Sequence, residues 1–124
     1  MDSLILLLLP VPLFFTVSVI LAIAFWTFDR LVKLEYQEYR NAWERDGKPS
    51  GMTWWPRESP WPQGAAVRGV LFFSWLFTTP DWIKQSSKGQ ALVKRLRACI
   101  ISFNLGVIVL IIVGYLFAVQ FSVR

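Results

Sequence analysis

A chain of 124 residues that is 55% hydrophobic and still 17% charged has more apolar surface than one small soluble core can hide, so lipid must cover part of it. The net charge is +5, His is absent, and Cys99 is the single cysteine. That composition excludes a His-based catalytic triad, His-ligated haem, an intrachain disulfide and most His/Cys metal sites, so no cofactor is expected.

The first element is an uncharged run from Leu4 to Phe28. About 20 apolar residues cross a bilayer as a helix, so residues 4–28 are predicted to form a first transmembrane helix. Pro10 and Pro12 begin or kink it, because proline lacks the N–H and clashes with the preceding turn. Ala22-Ile23-Ala24 has the small-x-small spacing of a signal-peptide cleavage site. The run is too long for a signal peptide, however, and Asp2 stands where such a peptide carries a base. Retention as an anchor is expected.

Residues 29–97 carry twelve of the thirteen basic residues, and only Arg124 lies outside them. Arg30 and Lys33 flank the first run, and Lys94, Arg95 and Arg97 flank the second. Bases beside span ends are retained in the cytoplasm, so residues 29–97 are expected there with both termini outside, periplasmic in a bacterial inner membrane.

Within that segment, residues 29–46 read as a helix leaving the membrane. Val32, Tyr36, Tyr39 and Trp43 share one face, and Asp29 with Lys33 and Arg40 with Glu44 stand at pairing distance. Asp46-Gly47-Lys48-Pro49 stops the helix. Glu35, Glu38, Glu44 and Asp46 alternate with Lys33, Arg40 and Arg45, the pattern of a solvated face rather than of paired catalytic acids.

Residues 49–64 form an irregular Trp/Pro loop. Its Trp54, Trp55 and Trp61 demand burial, a headgroup layer or a partner groove. Residues 65–78 hold the apolar run Val70–Phe77, too short to span. It is expected as an interfacial helix with Arg68 at headgroup level, or as a helix buried between the two extensions. Thr79-Pro80-Asp81 starts a further helix over residues 80–97, interrupted near Ser86–Gly89 and entering the second span directly.

Residues 98–123 are the second uncharged run and the second predicted transmembrane helix. Gly106, Leu110, Val113, Gly114 and Phe117 recur at helical spacing, and Gly106, Gly114 and Asn104 are the candidates for helix packing. The expected architecture is therefore an all-α membrane protein. Two spans extend into a cytoplasmic antiparallel hairpin that carries an interfacial helix and an aromatic loop.

Val67-Arg68 with the aromatic run ending at Phe77, then Val93-Lys94-Arg95-Leu96-Arg97 before Ile100, resembles universal stress protein B, a family of small two-span bacterial inner-membrane proteins. The resemblance covers the order of elements along most of the chain, with few identities. The Trp54-Trp55-Pro56 and Thr78–Trp82 segments depart from the family pattern. It implies an envelope-associated, stress-linked role and transfers no functional residue.

No phosphate loop, nucleophile elbow or acidic metal motif is present, and neither apolar run carries Asp, Glu, Lys, Arg or His. A non-enzymatic accessory or scaffold subunit is therefore the leading expectation. An oligomeric channel or small transporter, and a lipid-surface stress-response module, are the alternatives. The expected partners are the bilayer, other membrane subunits or further copies of the chain, and anionic lipid, with no nucleic acid. Candidate contact residues are Trp54, Trp55, Trp61, Arg68, Trp75, Trp82, Lys94, Arg95 and Arg97.

Overall fold

A computed structural model describes residues 4, 5 and 8–123, and among them every regular element is helical. The elements are α1 (Pro10–Glu38), α2 (Arg40–Arg45), α3 (Gln63–Phe77), α4 (Asp81–Lys84) and α5 (Ser87–Ser122). Both α1 and α5 are long and apolar enough to cross a membrane. Proline stands in the first turn of α1, where a missing N–H costs nothing because that turn has no acceptor for it.

The two long helices run side by side in opposite directions. A Cβ at Gly106 of α5 would lie 2.7 Å from Val17 Cγ2 of α1, while Leu34 and Glu38 share a groove with Lys88 and Leu92. Along the apolar halves the outward faces are bare. Phe14, Phe15, Val19 and Ile23 of α1 and Ile101, Leu105, Ile112 and Tyr115 of α5 are all exposed. The apolar halves of these helices are largely uncovered within the chain, and that surface calls for a nonaqueous cover.

The core lies where the polar halves of α1 and α5 meet the intervening segment. Phe28, Leu31, Val32, Trp43, Trp75, Ile83 and Leu96 are sealed from solvent. A ladder of aromatic rings runs through it. Phe72 packs edge-on against Phe25 and Phe28 with centroids 6.3 and 5.3 Å away. Phe28 meets Trp75 at 5.4 Å, Trp75 meets Trp82 at 5.7 Å, and Trp82 meets Tyr39 at 5.3 Å. Such ring pairs contribute about 0.5–1.5 kcal/mol each beyond the area they bury.

The helix expected over residues 29–46 is broken at Tyr39, whose φ of −129° and ψ of 53° leave the helical region. The two intrahelical ion pairs expected there are replaced. Asp29 turns to the loop, accepting from the Met52 N–H, the Thr53 N–H and the Thr53 hydroxyl. Arg40 donates from Nε to the Tyr36 carbonyl at 2.8 Å and lies over the Tyr36 ring. The helix expected over residues 80–97 is divided at Gln85–Ser86, where the Ser86 hydroxyl caps α5 by accepting from Gly89 N–H at 3.0 Å. Pro80, not Thr79, holds the N-cap position of α4. Thr79 Oγ1 instead accepts from Arg97 Nη2 at 2.8 Å.

Gly47 closes the exit from α2 with φ at +96°, a conformation open to glycine at little cost. The loop then folds back on itself. Trp43 Nε1 donates to the Pro49 carbonyl at 2.9 Å, and Ser59 Oγ to the Lys48 carbonyl at 2.7 Å. Arg68 Nη1 donates to the Gly51 carbonyl at 3.0 Å, tying the loop to α3.

Candidate functional site

The segment between the apolar runs is an aromatic platform held by a few polar clamps. α3 crosses it at the level where the apolar runs end. Phe72 touches Phe25 and Phe28 at the end of the first run, and Arg97, next to the start of the second, donates from Nε to the Trp75 carbonyl at 3.0 Å. Trp75 turns inward and is 1% exposed, while Val70, Phe73 and Phe77 stand outward, Phe77 at 83%. This helix therefore has one face in the protein core and an apolar stripe facing away from it.

The nine candidate contact residues do not form one surface. Trp75 and Trp82 are buried in the aromatic ladder, 1% and 6% exposed, so little of either ring is open to a lipid or partner. Arg68 and Arg97 are engaged on backbone carbonyls, a structural use that the charge pattern does not reveal. Trp54 packs edge-on to Tyr36 at 5.3 Å. Trp55 is exposed along one side and donates from Nε1 to the Ser59 carbonyl at 3.1 Å. Trp61, Lys94 and Arg95 face outward, and Trp61 is 75% exposed. Of the helix-packing candidates, only Gly106 meets the facing helix. A Cβ at Gly114 would meet nothing within 4 Å among the described residues, and Asn104 is exposed, donating to the Ile100 carbonyl of its own helix at 2.7 Å.

Two features of this region escape the sequence pattern. The first is Glu35. It belongs to a charge series that reads as solvated, yet its side chain is fully buried and neither carboxylate oxygen has a hydrogen-bond partner among the described residues. Burial, reinforced by the nearby Asp46 carboxylate and opposed by Arg45 and the Trp82 indole, pushes its pKa up to about 10. A carboxyl in that setting is neutral at pH 7, because desolvation penalises only the charged form. Trp82 Nε1 is likewise buried without a partner. Closer to solvent, Tyr36 Oη donates to Glu58 Oε2 at 2.7 Å. That bond raises the Tyr36 pKa and lowers that of Glu58.

The second is a basic groove between α1 and α5. It has a volume of about 430 Å³ and is lined by Trp26, Arg30, Lys33, Leu34, Gln37, Glu38, Lys88 and Leu92. The Arg30 guanidinium lies 4.9 Å from the centre of the Trp26 ring, a cation–π geometry that holds charge at the edge of the apolar run. Lys33 stands 5.9 Å from the Trp54 ring on the other side. Among the described residues no hydrogen bond or ion pair occupies Arg30, Lys33 or Lys88. Nor do three His, Cys, Asp or Glu side chains converge as metal ligands.

Comparison of the chain with protein-family models, with curated proteins and with solved structures finds no match.

Proposed function

We propose that the chain is a non-enzymatic accessory or scaffold subunit of a larger membrane complex. It is anchored by α1 and α5, with the aromatic platform on the cytoplasmic side of a bacterial inner membrane. One observation carries this reading. A tightly stapled platform presents the outward apolar stripe Val70, Phe73 and Phe77 and the exposed Trp61 beside two helices whose apolar faces are bare. Large exposed apolar patches on a rigid support mark binding surfaces, and aromatic residues dominate the energetics of such contacts.

In this reading α3 lies in the headgroup layer, in keeping with its contacts to Phe25 and Phe28. The twelve bases between the runs favour retention of the platform inside the cell. An envelope-associated, stress-linked role accords with the resemblance to universal stress protein B.

Purification in mild detergent at native expression, followed by mass spectrometry, tests the proposal. The expected outcome is stoichiometric co-purification of one or more integral membrane proteins, reduced when Val70, Phe73 and Phe77 are replaced by alanine. A clean monomer with no co-purifying protein contradicts it.

A further inference from the structure

Three of the seven arginines between the two apolar runs are engaged on backbone carbonyls of the fold. Arg40, Arg68 and Arg97 donate to the Tyr36, Gly51 and Trp75 carbonyls. Arg30, Lys33 and Lys88 are different. They are exposed, they converge on one groove between α1 and α5, and no acid of the described residues pairs with them. Glu38 is the single acid lining that groove, so its net formal charge is +2, three bases less one acid.

The level of the groove identifies its occupant. The first uncharged run ends at Phe28. At 1.5 Å per residue, Arg30 stands about 3 Å and Lys33 about 7.5 Å beyond that edge. The polar layer of a bilayer is roughly 5–8 Å deep on each side, so both fall within it. Trp26 lies just inside the edge and is exposed, the position where an indole has its ring in hydrocarbon and its N–H near the headgroups. Lys88 stands on the facing helix about 15 Å before Ala98, where the second run begins, on the aqueous side of that layer, and its long side chain reaches back toward it. Basic pockets between helices at this depth suit lipid phosphates.

We infer that the groove between α1 and α5, bounded by Trp26, Arg30, Lys33 and Lys88, is a binding site for the phosphate headgroup of an anionic phospholipid of the cytoplasmic leaflet. The inference rests on the membrane placement proposed above and adds a ligand to it. Trp26 and Arg30 seat the lipid at the hydrocarbon edge, and Lys33 and Lys88 close on its phosphate from the two helices. Glu38 opposes the charge of the ligand and weakens its retention.

The test uses the full-length protein in detergent and native mass spectrometry, with phosphatidylglycerol and phosphatidylcholine added in turn. Phosphatidylglycerol adducts are expected to survive at collision energies that strip phosphatidylcholine. The variant R30Q/K33Q/K88Q is expected to lose at least about tenfold in adduct abundance, since each base near the surface contributes severalfold. A control with the same loss of charge away from the groove and from the ends of the apolar runs, R45Q/R57Q/K84Q at three exposed positions, is expected to change it by less than about twofold. Equal losses in the two triple variants, or equal retention of both lipids, would overturn the site.

Glycerol phosphate is the soluble arm. If it competes as well as the lipid does, the groove is a free-phosphate site and the lipid assignment is wrong. Should the groove variant not fold, Glu38→Gln carries the test alone. Glu38 is exposed, and removing its charge is expected to raise phosphatidylglycerol retention; no rise contradicts the proposal. Release of the protein from membranes by alkaline extraction would defeat the membrane reading itself. Retention there with no lipid selectivity defeats only the site.

Discussion

Gly51 stands so close to Asp29 that a Cβ on it would lie 2.5 Å from Asp29 Oδ1. The contact joins the end of the first apolar run to the start of the Trp/Pro loop. Asp29 accepts from the N–H groups of Met52 and Thr53 and from the Thr53 hydroxyl, and only a residue without a side chain lets the loop come down onto the carboxylate. The clamp sets where the loop lies over α1, and so where Trp54 meets Tyr36.

Gly51→Ala is accordingly expected to destabilise the protein by about 1–3 kcal/mol, the usual cost of overpacking a fixed contact. Asp29→Ala removes the acceptor for two backbone donors and is expected to cost about 2 kcal/mol or more. Thermal unfolding in detergent, followed by near-ultraviolet circular dichroism, measures both. Unchanged midpoints in both variants would show that the clamp does not hold the loop.

Glu35 yields a pH prediction. Its carboxyl has a pKa near 4.5 when solvated and about 10 in the fold, so the folded state keeps a proton that the unfolded state releases. The stability it contributes is fully present below pH 4.5. It falls as pH rises toward 10, by about 1.4 kcal/mol per unit at most. Glu35→Gln is neutral throughout, so its stability relative to the parent should rise with pH across this window and be higher at pH 7. Parallel unfolding profiles of the two proteins from pH 5 to 9 would contradict the buried neutral carboxyl.

The two glycines of α5 are expected to respond oppositely. Gly106→Val drives a side chain into Val17, whereas Gly114→Val meets open space among the described residues. The first should loosen the α1–α5 pair and lower the melting temperature in detergent, while the second should leave the isolated chain unchanged. A matched loss in both would show that packing at Val17 is not what holds the helices together.

The tryptophans divide in the same way. Trp75 is sealed in the ladder and Trp61 is 75% exposed. Trp75→Ala is expected to cost about 3–5 kcal/mol, and Trp61→Ala less than about 0.5 kcal/mol. Chemical unfolding of each variant decides it, and similar losses would mean that Trp61 is also built into the core.

The long elements are legible in the chain because charge is absent from their apolar halves, up to Phe28 and from Ala98 on. An uncharged run of this length has few alternatives to a membrane helix, and the Gly47–Pro49 stop and the Pro80–Asp81 start are local chemistry. The platform is legible only in outline. Tyr39 breaks a helix that has no Pro or Gly, at the point where its ring packs against Trp82 from a segment more than forty residues away. Glu35 reads as solvated because the pattern of α1 cannot show that α4 and the end of α2 will cover it. Arg68 and Arg97 look like headgroup contacts by their position, but loop and helix-end carbonyls lacking other donors claim them once the chain folds. Arg30, Lys33 and Lys88 become a set only when α1 and α5 lie antiparallel.

The central claim is that α1 and α5 cross the bilayer with the aromatic platform inside the cell. Single cysteines at Arg57 in the loop and at Ser122 near the end of α5, in a chain with Cys99→Ser, report it directly. In intact bacterial cells a membrane-impermeant maleimide should label the cysteine at Ser122, and should label that at Arg57 only after permeabilisation. Labelling of the Arg57 position in intact cells with protection of the Ser122 position would contradict the account, as would exposure of both.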